Sequence, residues 1–319
     1  MQVKVPEGKL RSISHGGVSW TDIENPTQKE TEALAEKYPF HHLNLEDCLS
    51  RRQLTKLDKH EEYLFILLHF PSYDEGKQNV VTNQVSIFLG KDYLVTLHRD
   101  DFKPLIDLFQ SCERDEHSHQ AFMGKSSAHL LYCVIDKLVD ELFPELDVLM
   151  SDLSDIEDKA FDERVSIVGK ISSLRRQVGD LRRMVSSLRR TIPEVAVSAQ
   201  RFATEDLGPY FSDVKDHVEK VWETLEQAKE TIEIYVDTDF ILSTEKTNNV
   251  LAILTIVFTL TIPASVVASV YGMNVNLPGG IQTGPWTFLG PYTMLVVLLS
   301  IALVPSLAMV YYFRKLGWM

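Results

Sequence analysis

The residues best suited to chemistry in this sequence are Gly272, Met273 and Asn274, which follow Tyr271 at the end of a long apolar run. The Asn274 carboxamide offers a neutral oxygen, and a hard dication such as Mg²⁺ prefers oxygen ligands and loses its water reluctantly. A ring of such oxygens would accept hydrogen bonds from the water shell of the ion and still release it. Gly272 would let the backbone turn out of a helix. We therefore expect an ion entrance here, with a helix C-cap as the alternative role of Asn274.

Two apolar runs of membrane length flank this segment. They cover residues 250–271 and 292–313, and neither contains Asp, Glu, Lys, Arg or His. Each has about 22 residues, which as a helix crosses a hydrocarbon core of ~30 Å. The sequence therefore predicts two membrane-spanning helices.

The charges near the two runs predict their orientation. Lys246 precedes the first run, Arg314 and Lys315 follow the second, and the segment 274–291 between them has no charge. Positive residues favour the cytoplasmic side. We expect a multi-pass protein of the plasma membrane with both termini in the cytoplasm.

The rest of the chain is acidic. The first 245 residues hold all 45 acidic residues and 29 of the 32 basic ones, a net charge of −16. This excess disfavours nucleic acid and anionic lipid surfaces as partners, because both need a basic face, and it favours cations. Cys48, Cys112 and Cys133 show no CxxC spacing, which is typical of a reduced compartment without a disulfide framework.

The first 120 residues mix strand and helix signals. Runs rich in β-branched and aromatic residues predict three consecutive strands, separated by turn signals that favour antiparallel pairing. The strands are 63–70, 80–89 and 93–98, the turns are 74–77 and 90–92, and helices are predicted at 27–38 and 101–112.

From Ser126 onward the pattern is helical. A long amphipathic segment covers 126–159, with an acidic second half. In the next helix Leu174, Leu181 and Leu188 recur every seven residues, each followed by two arginines. This spacing predicts a packing seam in a helical hairpin. Arg–carboxylate contacts with the acidic helix are the simple interpretation, and a regulatory role of the pairing is the alternative.

Pro209 begins the longest predicted helix. No Gly or Pro interrupts the chain from Tyr210 to Pro263, so one helix should run from the soluble part into the first span. About 60 residues give a length of ~90 Å. Such a helix needs neighbours, which predicts an oligomer. Its apolar face before the membrane comprises Val214, Val218, Val221, Leu225, Ala228, Ile232 and Tyr235.

A second stripe on the same helix has the spacing that a pore requires. It is polar at both ends and apolar between, which favours ion passage with a dewetting constriction. The alternative is that its small polar residues satisfy neighbouring helices in the membrane. The stripe comprises Asp237, Ile241, Thr244, Asn248, Leu251, Thr255, Phe258, Ile262, Ser265 and Ser269.

Three segments together resemble the CorA family of divalent-cation channels. They are Tyr271-Gly272-Met273-Asn274, the stretch 210–217 (YFSDVKDH) and the run 246–250 (KTNNV). The resemblance implies a homopentameric funnel in which the long helix lines a central pore. It also implies that Asp237 forms an acidic ring, that Leu251 or Leu254 forms an apolar gate, and that Arg314 and Lys315 form a basic ring.

The resemblance implies regulation as well. Asp213 matches a family position for a Mg²⁺ ion that bridges subunits and closes the pore. Carboxylates from two subunits repel each other, and a dication between them reverses the sign of that interaction. We expect the partner ligand to be Asp74, from the turn that follows the first predicted strand.

The resulting fold prediction is an α+β cytoplasmic domain, an α/β/α sandwich with a mostly antiparallel sheet, followed by a stalk helix and two transmembrane helices. The predicted parts are an α/β domain (1–125), a helical hairpin region (126–208), the stalk and first span (209–272), an extracellular loop (273–291), the second span (292–313) and a basic tail (314–319).

The predicted function is Mg²⁺ influx through a channel, with Co²⁺ and Ni²⁺ as further candidate ions and Mg²⁺ as the regulatory ion too. A zinc or nickel/cobalt transporter of the same superfamily is the first alternative. A membrane-tethered sensor or enzyme is the second. The sequence contains no nucleophile elbow, dinucleotide fingerprint or metalloprotease motif, so no enzyme activity is expected.

Overall fold

The computed structural model describes residues 9–50, 53–74, 79–99, 102–160, 168–273 and 293–315. Asn274 and most of the predicted outer loop lie outside these residues, as do three residues of the predicted 74–77 turn. The chain divides into two compact units, Met1–Val236 and Asp237–Met319.

The first unit contains a six-stranded mixed sheet. Its order is β1-β2-β6-β5-β4-β3. β2 and β6 pair in parallel, and the other four neighbouring pairs are antiparallel, which confirms the mostly antiparallel sheet. The strands are β1 Lys9–His15, β2 Val18–Glu24, β3 Lys56–Lys59, β4 Tyr63–Asp74, β5 Asn79–Gly90 and β6 Tyr93–His98.

Both faces of this sheet are buried, which explains the layered architecture. Along β4, Leu64 and Ile66 enter one hydrophobic core, while Phe65 and Leu67 enter the other. Strand side chains alternate between faces, so a continuous apolar run predicts cover on both sides. The predicted α/β/α sandwich is confirmed.

Two helices cover one face and the remaining helices of the first unit lie on the other. Helix α1 corresponds to the helix predicted at 27–38 and α3 to the one at 101–112. The segment predicted at 126–159 is two helices, separated at Glu141. The helices are α1 Gln28–Lys37, α2 His42–Leu49, α3 Lys103–Arg114, α4 Glu116–Met123, α5 Ser127–Asp140, α6 Leu142–Ala160, α7 Val168–Ala199, α8 Gly208–Tyr271 and α9 Thr293–Lys315.

The buried carboxylate of Asp22 joins β2 to both of its neighbouring strands, β1 and β6. Asp22 is fully buried and lies 3.1 Å from Nη2 of Arg11. Its other oxygen accepts a 2.7 Å hydrogen bond from the Thr96 hydroxyl, which in turn accepts one from Trp20 Nε1. A buried carboxylate is costly unless it is paired and hydrogen-bonded, so these contacts favour one register of β2 on β6.

The leucine repeat of α7 packs as the heptad spacing predicted. Leu174, Leu181 and Leu188 are all buried, as is the apolar face of α8 from Val214 to Tyr235. These two rows belong to the same hydrophobic core.

The arginines beside this seam pair with α8. Arg182 pairs with Glu226, and Arg189 Nε donates to both carboxylate oxygens of Glu219 at 2.7 Å. The ring of Trp222 lies between the two guanidinium groups, 5.3 and 5.2 Å from them. The expected Arg–carboxylate contacts therefore exist, but these two join α7 to α8 rather than to the acidic helix α6.

The second unit contains the membrane-length part of α8 together with α9. Both helices are long and apolar enough to cross a membrane. The Ser306 hydroxyl of α9 donates to Ala302 O at 2.9 Å and lies 3.4 Å from Leu260 O of α8. A hydroxyl that serves neighbouring helices is common in membranes, and here it joins α9 to α8.

We expect Leu188→Ala to lower the melting temperature of the full chain in detergent by several degrees. Leu188 is fully buried in the α7–α8 seam, and truncating a buried leucine costs about 2–5 kcal/mol. Val197→Ala is the matched control on the same helix, since Val197 is 79% exposed and should leave melting unchanged. Equal melting temperatures of the two variants would contradict the burial of Leu188 in the core between α7 and α8.

Candidate ion pathway and metal cluster

The predicted pore stripe forms one face of α8 in the second unit. All ten of its residues lie within α8 and all are exposed on the single chain. Because α-helical positions advance by 100° per residue, the residues from Leu251 to Ser269 lie within a sector of about 80°. The structure therefore places them on a common surface.

This surface is distinct from the face that packs on α9. Between residues 250 and 270, the half-buried positions of the same helix are Ala252, Ile256, Thr259, Pro263 and Val267. Counted at 100° per residue, their centre lies about 120° around the helix from the stripe. The stripe is therefore available to a second copy of the chain or to a pore.

The middle of the stripe is apolar and its hydroxyls are largely satisfied locally. Leu251, Phe258 and Ile262 each expose about half of their surface. The Thr255 hydroxyl donates to Leu251 O at 2.7 Å, which leaves its oxygen lone pairs facing outward. Leu254 is also exposed and lies about 60° from Leu251 around the helix.

At the end of the first span, α8 stops at Tyr271 and Gly272 extends its hydrogen bonding by one residue. The Gly272 N–H donates to Ala268 O at 2.9 Å. Among the described glycines only Gly16 and Gly17 have positive φ, so Gly272 is not needed for a left-handed conformation. A Cβ at this position would lie 3.0 Å from Ala268 O, so close approach of the backbone explains the glycine. Met273 is exposed, and Asn274 lies outside the described residues.

A separate cluster of ligating groups forms between α5 and α8 in the first unit. Asp136 and Asp140 are one turn apart on α5, and His217 lies one turn after Asp213 on α8. One ligating atom each from Asp136, Asp140 and His217 lies within 4.8 Å of the others. His217 Nδ1 is 3.1 Å from Asp140 Oδ1.

Like charges crowd this cluster. Burial raises the pKa of Asp136, and the neighbouring charges of Asp140 and Asp213 raise it further. Burial also raises the pKa of Tyr132 to about 12, with Asp136 and Asp213 among the added causes. Asp213, which is exposed, is thus electrostatically part of the same group.

The donor set fits a divalent cation. Asp136 Oδ1 is buried and has no hydrogen-bond partner within the described residues, and the buried His217 Nδ1 contacts the Asp140 carboxylate without hydrogen-bond geometry. A dication would compensate the crowded carboxylates, which are the hard ligands that Mg²⁺ takes. An imidazole nitrogen beside them adds affinity for Co²⁺ or Ni²⁺.

The sequence analysis singled out Asp213 but missed Asp136 and Asp140. Two acidic residues four positions apart are common on helices, so only their position opposite α8 gives them meaning. The predicted partner Asp74 ends β4, where its backbone pairs with Asn79. The side chain of Asp74 lies outside the described part of the structure.

The remaining predicted residues lie at the ends of the second unit. Asp237 is exposed on α8 at the first residue of this unit. Arg314 and Lys315 are exposed in the last turn of α9, where positive charge is favourable beside the helix C-terminus.

The chain matches one known protein family over most of its length. Residues 15–315 match the family model described as "CorA-like Mg2+ transporter protein". The chain belongs to the CorA family. CorA proteins of this kind are divalent metal ion transporters of membranes and not enzymes, so the predicted resemblance is confirmed.

Curated CorA relatives cover most of the chain. It is 27% identical over 308 residues to the cobalt/magnesium transport protein CorA of Thermotoga maritima, which covers 96% of this chain and 83% of that protein. It is 26% identical over 258 residues to the putative metal ion transporter YfjQ of Bacillus subtilis, with coverage of 81% and 78%.

Solved structures show the same CorA fold. The complete structure of the CorA magnesium transporter from Methanocaldococcus jannaschii matches with a TM-score of 0.75 at 20% identity, covering 95% of this chain and 92% of that one. The ZntB cytoplasmic domain from Vibrio parahaemolyticus matches with a TM-score of 0.60 at 13% identity, covering 72% and 88%. At these identities the likeness concerns the fold.

We expect Asp136→Asn to raise the melting temperature of the metal-free protein by roughly 1–3 °C at neutral pH. A raised carboxyl pKa means that the folded state disfavours the charged form, so this destabilising charge is fully present above the raised pKa. The destabilisation decreases as the pH falls through the raised pKa of Asp136 and is absent below the ordinary carboxyl pKa of 3.8.

Thermal melting in excess EDTA measures this effect. Asp107→Asn is the matched control, because Asp107 is exposed on α3, outside the cluster. A lower melting temperature for Asp136→Asn would show that its charge is compensated within the metal-free protein.

Proposed function

We propose that the chain assembles as a homopentamer and conducts Mg²⁺ through a central pore lined by α8. The observation that carries this proposal is that the exposed stripe lies on one continuous helix that ends at Tyr271, directly before the Gly272-Met273-Asn274 signature in the sequence. Members of this family transport divalent metal ions. In this proposal the stripe lines the path that the ion follows through the membrane.

The stripe supports a pore of graded polarity. Asn274 would contact the hydrated ion at the outer mouth, Gly272 and Met273 would complete the filter, and Ser265 and Ser269 would follow. Narrow apolar rings can close by dewetting, and Leu251, Leu254, Phe258 and Ile262 would form such a section. Asn248 and a ring of Asp237 carboxylates would then collect cations at the inner mouth.

Orientation follows from the charges at the span ends. With Lys246, Arg314 and Lys315 on the cytoplasmic side, both termini lie in the cytoplasm and Asn274 faces outward. Influx across a plasma membrane would then follow the inside-negative potential, which is worth about 2.3 kcal/mol per charge at 100 mV.

The cluster between α5 and α8 would act as a cytoplasmic sensor. Asp136, Asp140 and His217 would hold a regulatory Mg²⁺ together with Asp213, and Asp74 of a neighbouring subunit would complete the shell. An ion favours the closed assembly only by its differential affinity for that state. Five repeats of the site would make the response to internal Mg²⁺ steep.

A zinc or nickel/cobalt transporter remains the alternative. His217 is the observation that favours it, because imidazole is a poor Mg²⁺ ligand and a good one for Zn²⁺, Co²⁺ and Ni²⁺.

We expect Asn274→Ala to abolish Mg²⁺ uptake while leaving the pentamer intact. The carboxamide ring would be lost, and with it the hydrogen bonds that replace bulk water around the ion. Uptake is measured in proteoliposomes with an internal Mg²⁺ dye and an inside-negative potential. Light scattering on the detergent-solubilised protein reports the subunit number.

The control for this experiment is Asn249→Ala. Asn249 has the same side chain as Asn274 but is an exposed residue of α8, about 100° around the helix from Asn248 of the stripe. Normal Mg²⁺ uptake by Asn274→Ala would show that Asn274 does not form the selectivity filter. Parallel assays with Co²⁺, Ni²⁺ and Zn²⁺ separate the alternatives, since a Zn²⁺ rate well above the Mg²⁺ rate would favour the zinc transporter.

We expect Asp213→Lys to remove the Mg²⁺ dependence of proteolysis. In the wild type, resistance to protease should rise with Mg²⁺ as the sensor fills. An ammonium at position 213 would take the place of the ion and repel it. Glu230→Lys makes the same charge change on α8 nearly five turns further along and should keep the wild-type response. An unchanged midpoint in Asp213→Lys would place the sensing ion elsewhere.

A further inference from the structure

A cavity of about 510 Å³ opens beside the sheet in the first unit, remote in sequence from the α5–α8 cluster. It lies between the ends of β4 and β5, the residues before β3, and the middle of α7. Small-molecule sites typically measure 300–1,000 Å³, so the cavity is large enough for a metabolite of nucleotide size.

The described lining of this cavity is basic, although the chain as a whole is acidic. Arg99 and Arg183 line it, and none of its twelve described lining residues is Asp or Glu. This occurs in a chain of net charge −13. Asp47, whose backbone carbonyl accepts from Gln84 at the cavity, has its carboxylate 2.7 Å from Lys56 and is thereby compensated. The cavity is therefore electrostatically suited to an anion.

The two guanidinium groups are held differently. Arg99 follows β6 and donates to the Leu49 carbonyl, which fixes its position. Arg183 is 75% exposed and pairs with Asp180 one turn earlier on α7. An exposed pair of this kind contributes little stability, so Arg183 can exchange it for a ligand. The planar fork of arginine matches phosphate oxygens.

The rest of the lining suits an uncharged organic part. Leu54, Val81 and Met184 supply apolar surface, and Leu54 is 83% exposed. Gln84 donates to Asp47 O at 3.0 Å and adds a polar group to the lining.

We propose that this cavity binds a phosphate-bearing organic anion of nucleotide size, with Arg99 and Arg183 on the phosphate groups and the apolar lining on the organic part. Its position gives the ligand influence on α8. Arg182 and Arg189, which flank the cavity residues Arg183 and Ser187 on α7, are the residues that pair with Glu226 and Glu219 of α8. The site is independent of the proposed ion pathway.

The test uses the purified full chain in detergent, at fixed ionic strength and with excess EDTA, so that the α5–α8 cluster stays metal-free. Isothermal titration calorimetry compares ATP, adenosine and inorganic phosphate. We expect one saturable ATP site per chain, with adenosine and phosphate at least about tenfold weaker, since each lacks one half of the contacts.

Arg183→Gln should weaken ATP binding roughly tenfold or more, the worth of a charge-assisted contact. Arg190→Gln removes the same charge from an exposed position of α7 outside the cavity and should change ATP affinity less than about twofold. The absence of saturable ATP binding, or equal weakening by both variants, would overturn the proposal. Phosphate that binds as tightly as ATP would overturn the assignment of the organic part.

Discussion

Burial of the apolar face of α8 from Val214 to Tyr235 is the interaction on which the first unit depends. These side chains fill the core that the α7 leucines and the sheet also enter. The helical period then leaves the other faces of α8 to carry charge. Glu219 and Glu226 meet the α7 arginines, while Asp213 and His217 face the α5 carboxylates. The packing of this one face thus positions both the two α7–α8 salt bridges and the cluster of candidate metal ligands between α5 and α8.

The membrane-length part of α8 obeys a different constraint. Hydrocarbon offers no hydrogen bonds, so the backbone must satisfy itself as a helix, and even the Thr255 and Thr261 hydroxyls donate to carbonyls of their own helix. Among the described residues of the membrane-length part, the half-buried face of α8 is the one that carries Ala252 to Val267. The exposed stripe is what remains, and in a soluble protein so much exposed apolar surface would be a liability.

Sequence reasoning located the elements whose pattern reflects burial. Strands β4, β5 and β6 were predicted because their apolar runs are covered on both faces. The edge strands β1 and β3 were missed because Lys9, Arg11, Lys56 and Asp58 give them a polar composition. β2 was missed because its buried Asp22 contradicts the usual strand pattern until Arg11 and Thr96 are seen beside it.

The same distinction holds for the candidate sites. The pore stripe follows from one helix, so its periodicity was readable from the sequence. The cluster of Asp136, Asp140 and His217 and the arginine-lined cavity each combine distant segments, and no local pattern brings these together. Asn274 is recognisable only by its motif, and its role stays a prediction.

The parallel junction of β2 and β6 also sets an order of events during synthesis. About 70 residues separate the two strands, so the edge of β2 that faces β6 stays unpaired, and Asp22 lacks its hydrogen bond from Thr96, until Thr96 has left the ribosome. Closing such a long segment is slow compared with forming hairpins such as β5–β6. N-terminal parts of a chain fold first during synthesis, so this closure has the time that translation of about 150 further residues takes before residue 250 appears. The sheet can therefore be finished while the hydrophobic spans are still being made.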